Sequence, residues 1–477
     1  MCLSTPPMST STPILEKMKI PLNNFGPALL YGSVLIQNNN TYTMKKKSFL
    51  KKQLALIVAF LVLALPGFAQ EPMQFSLEGA RQHALEYNKN MVNAGLSTQE
   101  AQARLWEAIA NGLPQINATL DYSNFFGSKA SLGAMPGFEI EFNPTSNLSI
   151  SLGQLIFSGN YIVGIQMAKL YQEVTQTSLE KTELDIIQQV SQAYFLVLIS
   201  QQSKELVEGN LANMRDILEK TRTMVYAGVA EELDYDQLAV QVSMLSNTLR
   251  SAERQLELAF NMLRVQMGLT ADTEIVLTDK LEDIALGSDL SLTLSKSFSL
   301  NNNPDFRLLK LQTDLAEKQV NMERAAYLPS LTGFYSYTEK LLKPEFDIQP
   351  KHVIGVNMNV PIFSSGVRRA KVSQARINLE MTQNQQELVA EQLLIQEKQL
   401  RFNLNNAIEQ YESEVSNLEV ARRVYQNMNI KYGQGMVSSL DLITANSNYL
   451  QAEGSYINSI FQLLEASLAL NKLLNNF

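Results

Sequence analysis

The sequence predicts a duplicated fold in which each half holds two amphipathic strands followed by a hairpin of two very long helices. The clearest strand is predicted over residues 352–363, where apolar residues alternate with glycine, asparagine and proline: Ile354, Val356, Met358, Val360 and Ile362. Such alternation predicts a strand with one apolar and one polar face. A long polar helical segment follows Gly366, and the same order of elements occurs earlier in the chain.

The first 69 residues precede the duplicated part. Residues 44–69 combine a lysine-rich start, the apolar run Leu54–Leu65 and the small-residue pattern of Gly67 and Ala69, which is typical of a secretory signal. We therefore expect residues 1–43 to be a misassigned N-terminal extension and the mature chain to begin at Gln70. The apolar run has 12 residues, fewer than the ~20 of a membrane-spanning helix.

Charge and composition exclude several classes of function. The 477-residue chain has a net charge of −8, and removing residues 1–69 leaves about −14, which argues against a nucleic-acid partner. Cys2 is the only cysteine, and the only histidines, His83 and His352, lie far apart, so we expect no disulfide, metal centre or cofactor. A secreted hydrolase has no catalytic constellation in this sequence, so we expect no enzymatic activity.

The first repeat is predicted over residues 70–285. A helix over Ser76–Gly112 should end before Pro114, because proline disfavours helix in the residue preceding it. The strands are predicted at about 115–123 and 146–157, and the helical hairpin at about 160–268. The second strand places Leu148, Ile150 and Leu152 on one face.

The second repeat is predicted over residues 286–477, with strands at about 330–338 and 352–363 and a hairpin at about 366–475. Three motifs recur in order: Leu113-Pro114 as Leu328-Pro329, Phe157-Ser158-Gly159 as Phe363-Ser364-Ser365-Gly366, and Leu233-Asp234 as Leu440-Asp441. A recurrence at one nearly constant spacing indicates duplicated architecture.

The long helices carry heptad patterns. Apolar residues step by four and three along the third long helix at Leu404, Ile408, Tyr411, Val415 and Leu418. The last helix has the same rhythm at Leu450, Ile457, Phe461, Leu464 and Leu468. Two such helices joined by a short turn predict an antiparallel coiled-coil hairpin, twice per chain.

The strands have two interpretations. In a membrane, Ile354, Val356, Met358, Val360, Leu148, Ile150 and Leu152 would face lipid. Four strands cannot close a β-barrel, and an open sheet edge is not tolerated in lipid, so at least two chains would have to share one barrel. The alternative is a non-transport periplasmic coiled-coil scaffold with the strands in a soluble sheet. The outward alternation in residues 352–363 favours the membrane.

With these elements in place, the sequence resembles the TolC-like outer-membrane efflux channels over essentially all of Phe75–Phe477. The motifs that carry the resemblance are Leu113-Pro114, Ile156–Gly159, Leu328-Pro329, Pro361–Gly366, and Tyr432–Gly435 with Leu440-Asp441-Leu442. The resemblance implies a homotrimer in the bacterial outer membrane, with four strands per chain in one shared barrel and a coiled-coil barrel of long α-helices in the periplasm. It further implies passive export, as the exit duct of an inner-membrane pump joined through a periplasmic adaptor protein.

The resemblance also places a gate where the tips of the second hairpins narrow the periplasmic mouth. Tyr432 and Asp441 match a tyrosine and an aspartate of that constriction, and Asp234 holds the corresponding place in the first hairpin. Val437 stands where relatives have an arginine, and Thr444 where they have a second aspartate. An arginine–aspartate pair is therefore not expected to close this gate.

A simpler interpretation of the acids remains open. Glu231, Asp234 and Asp441 are predicted within the first turns of helices, where the helix dipole favours negative charge by ~0.3–1 kcal/mol each. Ser438 or Ser439 would cap the last helix. Capping and a pore-facing position are both compatible with the sequence.

Overall fold

The computed structural model describes residues 73–131, 139–287, 290–342 and 349–477. The expected extension over residues 1–43 and the expected signal over residues 44–69 lie outside the described residues. The strands are β1 Met73–Phe75, β2 Gln115–Ser123, β3 Lys129–Ser131, β4 Glu139–Glu141, β5 Thr145–Phe157, β6 Ile275–Leu277, β7 Ser330–Leu342 and β8 His352–Asn359. The helices are α1 Leu77–Tyr87, α2 Lys89–Ala110, α3 Gly159–Tyr226, α4 Glu232–Met267, α5 Leu281–Gly287, α6 Leu290–Ser295, α7 Pro304–Ala325, α8 Val367–Gly433 and α9 Ser439–Leu474, with a 3₁₀ turn at Leu300–Asn302.

The four long strands form one antiparallel sheet in the order β2-β5-β7-β8. Directly paired residues lie on the same face of a sheet, so the register decides which side chains share a surface. One face is mostly apolar: Ile116, Ala118, Leu120, Tyr122, Leu148, Ile150, Leu152, Leu331, Gly333, Tyr335, Tyr337, Ile354, Val356 and Met358. The same register also places the polar residues Ser146, Gln154, Glu339 and His352 on this face. The other is mostly polar: Gln115, Asn117, Thr119, Asp121, Ser149, Ser151, Thr332, Ser336, Thr338, Asn357 and Asn359.

The last strand is shorter than the sequence pattern indicates. β8 ends at Asn359, whose partner Ser330 is the first residue of β7, so no paired strand remains for Val360. Val360 therefore lies beyond the sheet, although its position in the alternation placed it on the lipid-facing strand. β7 is in turn longer than predicted and extends to Leu342. Between β2 and β5, the structure adds the small hairpin of β3 and β4, which the sequence pattern did not indicate.

The first predicted helix, Ser76–Gly112, is two helices that meet at Asn88. The Asn88 side chain accepts a hydrogen bond from the Asn90 N–H at 2.8 Å and donates to the Gln266 carbonyl at 2.7 Å. Gly268 allows this close approach, because a Cβ there would lie 2.3 Å from the Tyr87 carbonyl oxygen. The break is thus a tertiary contact with the end of α4, which helical periodicity alone does not predict.

Two long hairpins, α3 with α4 and α8 with α9, account for more than half of the described residues. The helices α3 and α8 have 68 and 67 residues, which corresponds to about 100 Å each. At the sheet end, α2 packs on α3, α3 on α7, and α7 on α8. The helices thus follow the same lateral order as the strands to which they connect.

Three apolar clusters hold the helices together. The largest joins α1, α3, α4 and α9 through residues such as Val190, Tyr194, Leu263 and Ile460, all fully buried. A second cluster lies between the two hairpins near their tips, and a third lies between α8 and α9 around Leu404. The predicted heptad pattern in α8 is only partly buried, because Val415 remains 41% exposed in the single chain. None of the described helices is both long enough and apolar enough to cross a membrane.

Candidate functional site

The candidate residues lie close together where each helical hairpin turns, at the end opposite the sheet. The turn after Tyr226 contains Gly228, with φ of 75°, and the turn after Gly433 contains Gly435, with φ of 70°. Positive φ is readily adopted only by glycine, so each turn can reverse the chain within a few residues. We refer to these two turns with the first residues of α4 and α9 as the tips.

Ser438 and Asp441 form a capping box at the start of α9. The Ser438 hydroxyl accepts the Asp441 N–H at 3.2 Å, and Asp441 Oδ2 accepts the Ser438 N–H at 3.1 Å and its hydroxyl hydrogen at 2.7 Å. These hydrogen bonds lower the pKa of Asp441 below its ordinary value. The structure therefore accounts for Asp441 as a capping residue, while its exposed position leaves the carboxylate accessible from outside the helix.

Asp234 makes a contact that joins the two tips. One carboxylate oxygen accepts the Glu231 N–H at 3.2 Å, which completes a second capping box at the start of α4. The other oxygen accepts the hydroxyl of Ser439, at 2.5 Å, and Gln237 Oε1 lies 2.9 Å from the same hydroxyl. Ser439 is only 1% exposed, so this hydrogen bond lies inside the contact between α4 and α9.

Tyr432 lies against the first hairpin and is 6% exposed. Its hydroxyl is 2.7 Å from that of Thr221 on α3, a residue that is fully buried. The Thr221 hydroxyl is also 2.9 Å from the Ile217 carbonyl oxygen and donates to it, so Tyr432 donates to Thr221. Burial raises the pKa of Tyr432, and the phenol is neutral at physiological pH. We call the Tyr432–Thr221 and Ser439–Asp234 hydrogen bonds the tip contacts.

The remaining candidates differ in burial. Val437 packs against the apolar cluster between the hairpins, together with Leu442 and Met214. Thr444 is exposed on α9, on the side that carries Asp441, and its hydroxyl donates to the Leu440 carbonyl at 2.7 Å. The five candidates therefore form two groups. Tyr432, Asp234 and Val437 are buried or partly buried between the hairpins, and Asp441 and Thr444 are exposed on α9.

Two participants in the tip contacts, Thr221 and Gln237, were missed from the sequence. Ser439 was considered only as a cap, but Ser438 caps α9 and Ser439 makes the contact with Asp234. A usable signal existed for Thr221, which continues the buried spacing of Asn210, Met214 and Ile217 along α3 as a polar residue directly after two apolar ones. In the described residues, no group of three or more His, Cys, Asp or Glu side chains could hold a metal ion.

The sheet with one apolar face, extended by long coiled-coil hairpins, defines the class of channel-forming outer-membrane proteins. Residues 80–269 and 297–476 match the family described as "Outer membrane efflux protein", and the chain belongs to that family. It is accordingly an outer-membrane efflux or secretion channel, and the resemblance to TolC-like channels is confirmed. Membership of this family favours the channel over the periplasmic scaffold.

Curated relatives and solved structures agree with this assignment. "Outer membrane protein TolC" of Vibrio cholerae serotype O1 is 22% identical over 388 residues, which cover 78% of this chain and 86% of that protein. "Cation efflux system protein CusC" of Escherichia coli O157:H7 is 23% identical over 391 residues, covering 76% and 77%. A solved CusC structure superposes with a TM-score of 0.70 at 16% identity, covering 84% of this chain and 92% of that one. The outer-membrane channel OprN gives a TM-score of 0.69 at 16% identity, covering 84% and 90%.

Proposed function

We propose that three copies of this chain form one exit duct from the periplasm to the cell exterior. The three four-stranded sheets close into a single barrel whose apolar face contacts outer-membrane lipid. The long helices continue the duct into the periplasm. There a periplasmic adaptor protein joins the duct to an inner-membrane pump, and cargo moves through it passively.

The observation that carries this proposal is a close contact at one strand–helix junction whose equivalent at the second junction is not made by any described residue. At the junction of β5 and α3, a Cβ added to Gly159 would lie 2.8 Å from Leu328 Cδ1 and 3.1 Å from Ala325 Cβ. The end of α7 is thus fitted closely against the start of α3. Within one chain, this contact joins the second repeat to the first.

At the other junction, between β8 and α8, no described residue makes the equivalent contact. A Cβ added to Gly366, the counterpart of Gly159, would have no described atom within 4 Å. Ile362 and Phe363 just before it are 92% and 86% exposed. The counterparts of Ala325 and Leu328 are the identical residues Ala110 and Leu113, which precede β2 at the opposite edge of the sheet. A second copy would bring its Ala110 and Leu113 to Gly366.

The edge strands of the sheet and the exposed faces of α2 and α8 also support contact between neighbouring copies. In the described sheet, β2 and β8 each have one partner, and the alternating directions would make β8 antiparallel to β2 of a second copy. Exposed apolar residues recur every seven positions along α8: Met381, Leu388, Ile395 and Phe402. In the proposed arrangement Met381 and Leu388 would lie level with the exposed Leu96 and Val92 of α2 in the next copy, whereas Ile395 and Phe402 lie beyond the start of α2 at Lys89. Burying these residues would be favourable at about 25 cal/mol per Å² of apolar surface.

Cysteine cross-linking tests the assembly. In a Cys2→Ser background, Leu113→Cys and Ser364→Cys in one chain should be linked between copies by a short bis-maleimide. Dimers and trimers, and no larger species, should appear on a denaturing gel. The equivalent intrachain pair, Leu328→Cys with Ser158→Cys, should give only linked monomers. Absence of interchain products, a ladder ending at dimers or one continuing past trimers would refute the shared barrel.

We propose further that the tips form the periplasmic gate. The tip contacts hold the second hairpin against the first in the closed state, and opening separates them. Asp441 and Thr444, on the exposed side of α9, would line the mouth. Val437 supports closure by apolar packing, because it contacts the cluster between the hairpins.

The names of relatives indicate different cargoes for similar ducts. They include a cation efflux protein, a protease secretion protein and a nodulation protein. We propose that the duct is the shared part and that the pump selects the cargo.

A further inference from the structure

A pair of buried asparagines joins the two hairpins above the tips. Asn210 of α3 is 4% exposed and Asn446 of α9 is fully buried. Asn210 Nδ2 donates to Asn446 Oδ1 at 2.6 Å, and Asn446 Nδ2 lies 3.3 Å from Asn210 Oδ1 as the reciprocal donor. The residues are 236 positions apart in sequence, so the contact is purely tertiary.

The asparagines form one layer in a stack that leads down to the tips. Along α3, the buried face continues from Asn210 through Met214 and Ile217 to Thr221, with steps of four, three and four. Along α9, it continues from Asn446 to Leu442 and Ser439. A polar layer is therefore followed by an apolar layer and then by the tip contacts. Asn210 lies 11 residues before Thr221, which is about 16 Å along the helix.

An apolar layer by itself specifies axial position poorly. Met214, Ile217 and Leu442 could pack against neighbouring apolar residues after a slip of one helical turn, about 5.4 Å. The asparagines could not, because a slip would leave two amides unpaired in an apolar environment. A polar residue at a single core position is known to specify register in coiled coils at a cost in stability.

The tip contacts need that register. The Tyr432 and Thr221 hydroxyls are 2.7 Å apart, so a slip of one turn would separate them entirely. The Ser439–Asp234 contact is equally short and would be lost with it. Neither tip residue can search for a new partner easily, because Thr221 and Ser439 are both buried.

We propose that Asn210 of α3 and Asn446 of α9 are positioning residues that set the axial register of the second hairpin on the first and thereby align the tip contacts. The structural part of this inference stands on the layers just described. Its functional consequence, a better closed gate, rests on the gate proposed above.

The register can be measured directly with a cysteine pair at the tips. In a Cys2→Ser background, Asp234→Cys with Ser439→Cys should form an intrachain disulfide under mild oxidation, seen as a faster-migrating band on a denaturing gel. Adding Asn210→Leu and Asn446→Leu replaces the polar layer with an apolar one. We expect the disulfide yield to fall at least threefold while the melting temperature stays equal or rises. Leu442→Met, in the next layer, is the control and should leave the yield unchanged.

Each outcome decides a separate point. An unchanged yield in the double-leucine variant overturns the positioning role, whatever the conductance does. If the yield falls, single-channel recordings of the same substitutions without the cysteines should show more open time. A fallen yield with unchanged conductance upholds the register and refutes the proposed gate.

A second variant keeps the proposal testable if the double-leucine chain does not fold. Asn446→Ala leaves Asn210 unpaired, so both the melting temperature and the disulfide yield should fall. A stable Asn446→Ala chain with the full yield would also overturn the proposal.

Discussion

At the scale of residues, two tyrosines one heptad apart on α8 face the same apolar cluster but differ in their hydroxyls. Tyr432 is hydrogen-bonded to Thr221. Tyr425 is 7% exposed and stacks on Tyr449 with ring centroids 5.4 Å apart, and its hydroxyl has no hydrogen-bond partner among the described residues. Removing the two hydroxyls should therefore have different effects.

Tyr432→Phe should weaken the closed state and increase open probability in planar bilayers. A net hydrogen bond is worth about 0.5–1.5 kcal/mol, which corresponds to roughly a two- to tenfold change in the open-to-closed ratio. Tyr425→Phe removes an unpaired buried hydroxyl and should leave gating unchanged, with an equal or higher melting temperature. Equal gating effects of the two substitutions would show that the Tyr432 hydroxyl does not hold the gate.

Asp441 allows the two interpretations of the tip acids to be separated. Three copies of Asp441 near the axis would attract cations and resist anions. Asp441→Asn should therefore lower cation selectivity and weaken block by multivalent cations added from the periplasmic side. Asp234→Asn is the matched control and should change selectivity less, because Asp234 faces Ser439. Loss of stability with unchanged selectivity would leave Asp441 as a capping residue only.

The pKa of Asp441 also predicts a pH dependence of stability. Because the folded-state pKa is lowered, the ionised carboxylate stabilises the fold above its ordinary pKa of 3.8. That contribution is lost as the pH falls through the lowered value. Any difference in melting temperature between the wild-type chain and Asp441→Asn should therefore shrink on acidification below about pH 4. A difference that grows with acidity would contradict the capping interaction.

At the scale of elements, the sheet has two chemically different faces whose residues alternate along each strand. Val356 and Asn357 are neighbours in the middle of β8, yet the register places Val356 beside Leu331 and Tyr335 on the apolar face. Asn357 pairs with Thr332 on the polar face. Residues on the two faces should thus tolerate charge differently.

Val356→Arg should reduce the amount of assembled protein in the outer membrane. Arginine on the lipid face near the bilayer midplane costs about 2–4 kcal/mol. Asn357→Arg, one residue further, should be tolerated because its side chain would face the water-filled interior. The measurement is the yield of folded protein in outer-membrane fractions, and the reverse order of yields would mean that the faces are exchanged.

At the scale of the whole molecule, the exposed apolar residues of α2 and α8 are expected to be buried between neighbouring copies in the proposed trimer. Trp106 is 63% exposed in the single chain, and in the proposed trimer it faces the start of α8 of the next copy. Large aromatic residues at the centre of interfaces commonly carry much of the association energy.

Trp106→Ser should therefore lower the temperature at which the trimer dissociates in detergent. Val229→Ser, a substitution at an exposed apolar tip residue, is the control and should leave dissociation unchanged. The measurement is the trimer fraction after heating, by size-exclusion chromatography. Identical dissociation curves for Trp106→Ser and the wild-type chain would exclude α2 from the interface.

The sequence by itself determined the elements that repeat with a regular period. Alternation of apolar residues is a local property, so the strands ending at Ser123 and Phe157 could be located closely. The heptads and the recurring Leu-Pro and Phe-Ser motifs likewise revealed both hairpins and the duplication. The family could be recognised because these local motifs occur in one order along the whole chain.

Tertiary structure alone decided what each element contacts. Helical periodicity continues through Asn88, and the helix breaks there because the Asn88 side chain both caps the next helix and donates to the Gln266 carbonyl. Strand alternation continues through Val360, and only the start of β7 at Ser330 ends the pairing. The tip contacts join residues 205 and 211 positions apart, and nothing local encodes how far the second hairpin is shifted along the first. Axial position depends on which polar layers meet, because apolar layers pack almost equally well in several registers.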